Sequence, residues 1–439
     1  MRSGKQVEQT MLEADMISGN QLKKTKPFWY LFFGTFASHL GTNISILVFP
    51  TYAILHLHAS DQAVAAISIA QTLPMVMFSL WVGSRSDRLD RVRLIMGADL
   101  FSASLSFICA YWLFQNSLPL FFLYIAVFFL AFLSIFYNVA TQALVPDLLL
   151  RKQLLWGNSW LYAGRSIATV FGQFIASKLT AVAFGAYAMV LDGFSHVIRA
   201  IALIPILNQK AGEVTPKPQG WIQDTIDAAS YIRGKKELIR IIGSVATYNF
   251  GGAFILAFFF LYAYGMLELT AFHIGISLGV GSISAAFGAI MASKWKSSIN
   301  IVKRGQFFFA LSCLALWLLL VASLVHPFVI LLLYEIIFKF SSAVFNIAMT
   351  TRRHQIVTPD FQGRIASVGV LTSNVAMLIA AVFATFSAGI LTPIQGVALG
   401  CTFSLMTFLW FIGWNKAGHA QDTQSLLSHK KSVSGAYRR

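Results

Sequence analysis

Charge is the first scarcity in this 439-residue sequence: only 11% of its residues are Asp, Glu, Lys or Arg, against about 25% in soluble domains. Acids are scarcer still, with 17 Asp and Glu against 33 Lys and Arg. The three cysteines (Cys109, Cys313, Cys401) stand singly inside apolar runs. With no CxxC pair, neither a disulfide framework nor a zinc site is indicated, and the thiols are expected to be core filler. HExxH, Gly-x-Ser-x-Gly and Walker-type phosphate loops are all missing; zinc hydrolysis, serine hydrolysis and ATP-driven work therefore have no signature, and the chain is not expected to be an enzyme. No small-residue cleavage site follows the first apolar run, so the first helix itself is expected to drive insertion.

Apolar length is what the sequence has in quantity. It is 57% hydrophobic, and a helix needs about 20 apolar residues to cross a bilayer. Runs of that length recur with short breaks at 28–55, 63–83, 94–114, 118–141, 157–181, 185–207, 240–264, 270–293, 305–325, 327–350, 365–388 and 393–414. This predicts an all-α membrane protein of twelve helices with no room for another globular domain. The Lys and Arg residues sort by side: the loops 56–62, 115–117, 182–184, 265–269, 326 and 389–392 hold none, and only Arg165, Lys178, Arg199 and Lys339 fall inside spans. Cationic loops stay cytoplasmic. Both tails (1–27 and 415–439) and the long segment 208–239 are thus expected inside, in agreement with the even helix count. The net charge of +16 is assigned to anchoring on anionic lipid, not to nucleic acid.

Segment 208–239 opens with Gly212, Pro216 and Pro218, then sets Trp221, Ile222, Ile226, Ala229 and Ile232 between polar residues. That pattern predicts an amphipathic surface helix connecting two six-helix bundles, 28–207 and 240–414. An internal repeat supports two halves: Gln142-Ala-Leu-Val-Pro146-Asp147 returns 213 residues later as Gln355-Ile-Val-Thr-Pro359-Asp360. Parallel repeats of this kind build several transporter folds, with the substrate site near the midplane. The C-terminal 25 residues have no apolar period and are expected to be disordered.

Between the second and third spans the chain reads Gly83-Ser-Arg85-Ser-Asp87-Arg88-Leu-Asp90-Arg91-Val-Arg93. A Gly lets helix ends approach, a carboxylate can face a helix N-terminus, and arginines can bridge to it or to lipid phosphate. This loop resembles the signature of the major facilitator superfamily, in which Gly83, Asp87, Arg88, Asp90 and Arg91 would form the conformational gating loop. Asp99, Pro146-Asp147, Asn158 to Arg165-Ser166, Asp192 and Pro359-Asp360 to Gly363-Arg364 narrow the resemblance to the branch of macrolide-efflux and enterobactin-export proteins, over residues 28–414. It implies export from the cytoplasm by alternating access in exchange for protons. Two departures are visible: Gly172-Gln173 stands where many such antiporters carry a proline in the fifth span, and the first span offers His39 and Asn43 in place of a carboxylate. The counterpart loop at 292–306 keeps Lys294, Lys296, Lys303 and Arg304 but no acid.

An ionisable residue at the bilayer centre costs at least about 2.5–3.5 kcal/mol unless partnered or hydrated, so the charges within spans are the functional candidates. Asp192, His196 and Arg199 fall at i, i+4 and i+7, one face of the sixth span. Glu335, Lys339, Ser342 and Asn346 form a similar stripe on the tenth. Arg165 and Gln173 share a face of the fifth, and His39 and Asn43 lie one turn apart in the first. Glu335, Asp192 and His39 are the candidates for carrying a proton, Glu335 foremost. Arg165, Lys339, Asn43, Asn346, Tyr137, Tyr248, Tyr262, His196 and Arg199 are candidates to line the substrate cavity, and Asp99, Asp147, Asp360 and Arg364 to be structural charges. Asp99 is expected to pair with the basic loop or with Arg165, Asp192 to lie toward the wet outer side, and Lys178 and Arg199 to snorkel. Glu335 with Lys339 reads equally as a neutralised structural pair. Interior cations outnumber interior acids, which favours an anionic solute such as a siderophore over a cationic drug. The expected partners are a small solute, protons and lipids, with no cofactor, no metal and a monomer as the working unit. The sequence leaves open an importer with the same fold and a non-transporting membrane sensor or scaffold.

Overall fold

The computed structural model describes residues 26–86, 90–150, 153–180, 185–207, 221–293, 301–358 and 361–412, and among these no strand occurs. The chain is all-α. The first span is split into α1 (Lys26–Ser45) and α2 (Val48–Leu55). Pro50 explains the split: it has no amide proton to donate to Ile46, and its ring crowds that carbonyl. Next come α3 (Asp61–Ser86), α4 (Arg91–Phe114), α5 (Leu120–Leu148), α6 (Leu154–Leu179) and α7 (Ala186–Leu203). The connector helix is α8 (Trp221–Arg233). After it stand α9 (Lys236–Leu261), α10 (Ala271–Ser293), α11 (Ile301–Val321), α12 (Pro327–Ile356), α13 (Gln362–Ser387) and α14 (Pro393–Leu405).

Local chemistry sets several of these ends. Asp90 caps α4, its Oδ1 accepting from Val92 N at 3.0 Å and Arg93 N at 3.1 Å. Thr392 and Gln395 form a capping box at the start of α14, with Pro393 at its first position. A π-turn, Tyr262–Met266, closes α9, and α14 runs on as a 3-10 turn over Met406–Phe411.

Eleven helices among the described residues are long and apolar enough to cross a membrane. Besides the short connector α8, the helix outside that group is α6, expected at 157–181. At 26 residues it is about 39 Å long, ample for a hydrocarbon core of about 30 Å. What sets it apart is composition: Asn158, Arg165, Gln173 and Lys178 interrupt its apolar surface.

The described residues form two compact units, one within Met1–Leu57 and Met77–Pro218, the other within His58–Val76 and Gln219–Arg439. The division departs from the expected halves in one stretch, because the first part of α3 groups with the second unit. Inside each unit the helices pair in the same way. In the first, α1 packs on α6 and α7, and α4 on α5 and α7; in the second, α9 packs on α13 and α14, and α11 on α12 and α14. The repeat read from the two Pro-Asp sequences is therefore also a repeat of helix neighbours. Small residues permit the close approaches, as expected where lipid gives no hydrophobic push between helices. A Cβ on Gly288 would stand 2.5 Å from the Phe340 carbonyl oxygen, so α10 and α12 touch backbone to side-chain-free backbone there.

The connector is fastened to the second unit by polar contacts. Lys235 donates to the Tyr231 hydroxyl at 2.6 Å and to the Ile356 carbonyl at 3.1 Å, and Thr358 N donates to the same hydroxyl at 3.3 Å. The Tyr231 ring stacks on Phe361. Arg364, expected to be a structural charge, reaches Asp227 of α8 at 3.5 Å.

Replacing Gly288 by Val is expected to cost about 1–3 kcal/mol through overpacking, read as a lower midpoint of thermal unfolding in detergent. Gly97→Ala, where nothing lies within 4 Å of the added carbon, should leave that midpoint in place. The donors from Lys235 and then Thr358 pull the Tyr231 phenol down from 10.0 to about 8. A lowered folded value means the anchor is fully strengthened above pH 10.0 and loses that gain as pH falls through about 8. Absorbance titration at the phenolate band should show a component near pH 8 that Tyr231→Phe removes.

Candidate functional site

In the first unit, α4 and α7 bring together the charges that the sequence scattered over 100 positions. Asp99 and Arg199 are both fully buried (0% exposed), and Asp192 and His196 are 2% exposed. The Arg199 guanidinium grips Asp99 with both prongs: Nε donates to Oδ2 at 2.7 Å, and Nη2 donates to Oδ1. His196 Nδ1 sits 2.9 Å from Asp99 Oδ1, while its Nε2 is 3.8 Å from Asp192 Oδ1. Ser106 donates to Asp192 Oδ2 at 2.7 Å. The Tyr137 ring lies 4.1 Å under the Arg199 guanidinium carbon, a cation–π contact that the dry surroundings strengthen.

The i, i+4, i+7 face of α7 is thus turned wholly inward, and several expectations are corrected. Asp99 pairs neither with the basic loop nor with Arg165; its partners are Arg199 and His196. Arg199 does not snorkel, because Asp99 holds it in the interior. Asp192 is not at a wet outer surface but is packed against Ser106. Tyr137 supports Arg199 from within the core rather than facing a cavity. Glycines on α1 make room for the cluster: a Cβ on Gly34 would lie 3.0 Å from Arg199 Cγ, and one on Gly41 would lie 2.1 Å from Ser195 Oγ.

Arg165 of α6 is half-buried, its Nε has no hydrogen-bond partner, and no acid pairs with it among the described residues. Arg199, Tyr137 and His39 are its electrostatic neighbours. His39 Nε2 is likewise buried without a partner. Asn43 turns its amide back on the His39 carbonyl at 2.7 Å and packs beside Gly172. Lys178, by contrast, is exposed near the end of α6.

In the second unit Glu335 is 2% exposed and its Oε2 has no hydrogen-bond partner. Lys339 lies one turn on, and Gly281 of α10 presses close to both: a Cβ there would stand 2.5 Å from Glu335 Oε2 and 3.1 Å from Lys339 Cγ. No ion pair joins Glu335 to Lys339 within 4.0 Å among the described residues, so a closed structural pair is not what forms. Asn346 gives its amide to the Ser342 carbonyl at 2.9 Å. Tyr248 packs among Phe309, Phe338 and Phe345. Tyr262 is core rather than cavity wall: it is 0% exposed and donates to the Leu319 carbonyl at 2.6 Å.

Of the loop motif, Asp87 and Arg88 lie outside the described residues, and Gly83 is placed only as part of α3. Asp90 is the cap of α4. Arg91 donates to the Ala143 carbonyl at 3.0 Å and to Asp147 of α5, tying the motif to the first Pro-Asp pair, in the last turn of that helix. Asp360, the repeat counterpart of Asp147, lies outside the described residues.

Sequence reasoning missed a cavity of about 290 Å3 in the second unit, lined by residues of α9, α12 and α13 that include Asn249, Asn346, Arg353 and Asn374. Arg353 was expected in a loop after a span ending at 350, but α12 continues to Ile356. The polar run Thr350-Thr351-Arg352-Arg353-His354 hid that extra turn. Among the described residues no group of His, Cys, Asp and Glu is placed to hold a metal.

Eleven candidate membrane-crossing helices among the described residues, a repeated helix pairing and a basic Gly-Asp-Arg loop are joined by a direct match: the model of the Major Facilitator Superfamily fits residues 31–381. The chain belongs to the major facilitator superfamily. Superfamily relatives include the MFS-type transporter YkuC of Bacillus subtilis, 23% identical over 366 residues covering 78% of this chain and 81% of that one. Macrolide efflux protein A of Enterococcus faecalis is 23% identical over 318 residues, 72% of this chain and 97% of its own. Among solved structures, the nucleoside transporter NupG superposes with a TM-score of 0.72 at 13% identity, covering 88% of this chain and 99% of its own. A bacterial homologue of the iron transporter ferroportin gives 0.68 at 15% identity, covering 88% and 98%. At these identities the structures show the shared fold, and this member of the superfamily is a multi-pass membrane transporter.

Breaking the buried cluster from one side should be far worse than removing it whole. Asp99→Asn leaves Arg199 uncompensated and is expected to cost about 3–5 kcal/mol, whereas Asp99→Leu with Arg199→Met should cost clearly less. Thermal unfolding of the Asp99→Asn variant and of the double variant in detergent measures the difference.

Proposed function

We propose that this transporter is a secondary exporter, moving a small siderophore-like or drug-like molecule out of the cytoplasm by alternating access in exchange for protons. Glu335 carries the reading. It is a buried carboxyl on a membrane-crossing helix with one oxygen unbonded, and an intramembrane ionisable group of that kind marks a proton or substrate pathway by default. In a dry setting such a carboxyl is stable while it holds its proton. Access to water, or approach of the Lys339 ammonium one turn away, allows the proton to leave. A proton taken up on the outer side and released on the inner side in this way would drive export of the solute.

Export as the direction is supported by the macrolide efflux relatives. A location in the cytoplasmic membrane with both tails inside is supported by the sorting of Lys and Arg between alternate loops. In the first unit, Arg165, with no acid paired to it among the described residues, supplies positive surroundings suited to an anionic solute. Asp99 neutralises Arg199, so among the interior cations Arg165 and Lys339 favour an anionic solute.

Glu335→Gln should lower pH-driven solute transport in everted vesicles at least tenfold while leaving equilibrium solute binding in place. Undiminished proton-coupled transport by that variant would remove Glu335 from the mechanism.

A further inference from the structure

The cavity among α9, α12 and α13 lies entirely within the second unit and carries one charged residue in its lining, Arg353. Three arginines gather near this end of the unit, and two are neutralised. Arg352 donates to both oxygens of Glu237, at 2.6 and 3.1 Å, and Arg364 reaches Asp227 at 3.5 Å. Arg353 has no acidic partner among the described residues. Its Nε is buried without a hydrogen bond, and its one polar contact among the described residues is Nη2 at 3.4 Å from the ring of the adjacent His354. A half-buried guanidinium without a counter-charge is an expensive arrangement in a membrane protein, and its planar fork matches a carboxylate.

The rest of the lining suits the remainder of such a molecule. Met349, Met377 and Ile241 offer adaptable apolar surface. Asn249 and Asn374 face the same space, and neither side chain forms a hydrogen bond among the described residues. Gly369 keeps the guanidinium accessible, since even an added Cβ would come only within 3.8 Å of Arg353 Nη1. At about 290 Å3 the cavity sits at the small end of ligand sites, which start near 300 Å3. It has room for a carboxylate on a ring or short chain and none for a macrocycle.

We propose that this cavity is a recognition site for small amphipathic organic carboxylates, with Arg353 binding the carboxylate and the asparagines and methionines its body. The assignment rests on the transport function proposed above and names the class of solute. It also places recognition on residues distinct from Glu335, so that binding and proton coupling are separable.

Full-length protein in nanodiscs of neutral phosphatidylcholine, with no proton gradient, should be titrated calorimetrically with benzoate, salicylate and indole-3-acetate, and with the primary amide of each. At least one acid is expected to saturate the protein with tenfold or higher affinity than its amide. Arg353→Gln should abolish that preference, Arg353→Lys should keep part of it and so show that the variant folds, and Gly369→Leu should weaken acid and amide alike by filling the space. Absence of saturable binding by every acid, equal binding of acid and amide, or an undiminished preference in Arg353→Gln would each overturn the proposal. Exchange of the lipid for phosphatidylglycerol should leave the affinity unchanged; loss of binding there would assign Arg353 to lipid phosphate instead. Because no gradient is applied, a failure here is distinct from a failure of proton-coupled export, which vesicle transport by the Glu335 variant reads separately.

Discussion

The two-pronged contact between Arg199 and Asp99 is the constraint around which the first unit is built. Neither charge is tolerable alone in hydrocarbon, so α4 and α7 can be placed only where the two meet. Everything nearby is subordinate to that requirement. Gly34 and Gly41 thin α1 so that it can lie over the cluster, Tyr137 closes the guanidinium from below, and His196 bridges toward Asp192, which Ser106 holds. The repeat does not copy this solution. At the position 213 residues beyond Asp99 stands Ser312, fully buried and bonded to its own helix, and the second unit fills the equivalent region with Tyr248, Phe309, Phe345 and Phe411. Two halves with the same helix pairing are held by different physics, ionic in one and aromatic in the other.

This difference divides the labour between the units. Asp99, Arg199 and His196 are spent on one another, so most of the charge in the first unit is committed to architecture. Glu335 and Arg353 in the second unit have no such commitment, and each leaves a buried polar atom without a partner. Unsatisfied groups of opposite sign on a single helix, separated by 18 residues or about 27 Å of helix rise, give α12 two independent chemical functions along its length.

Much of the architecture was legible in the sequence because lipid imposes simple rules. Apolar run length located the spans, and the spacing of Asp192, His196 and Arg199 put them on one face. The partner of that face was not legible, since nothing in a one-dimensional pattern says that α4 is the neighbour of α7. The break at Ile46–Leu47 was encoded by Pro50 but masked by the apolar continuity around it. Arg353 was missed for a related reason: hydropathy detects where a span becomes polar, whereas α12 continues helical to Ile356, more than one turn past that point. Tyr262 illustrates the opposite error. A tyrosine in a span invites a cavity role, yet the Leu319 carbonyl next door is enough to satisfy its hydroxyl in the core.

The polarity of α6 bears on how the protein is made. A segment carrying Asn158, Arg165, Gln173 and Lys178 has little tendency to partition into lipid alone, while α1, against which it packs, is already long and apolar enough to stand in the bilayer. Its entry is therefore a matter of assembly: α6 acquires a membrane position by docking on a helix synthesised more than a hundred residues earlier. The order of synthesis suits this dependence, because the docking surface is in place before the segment that needs it emerges.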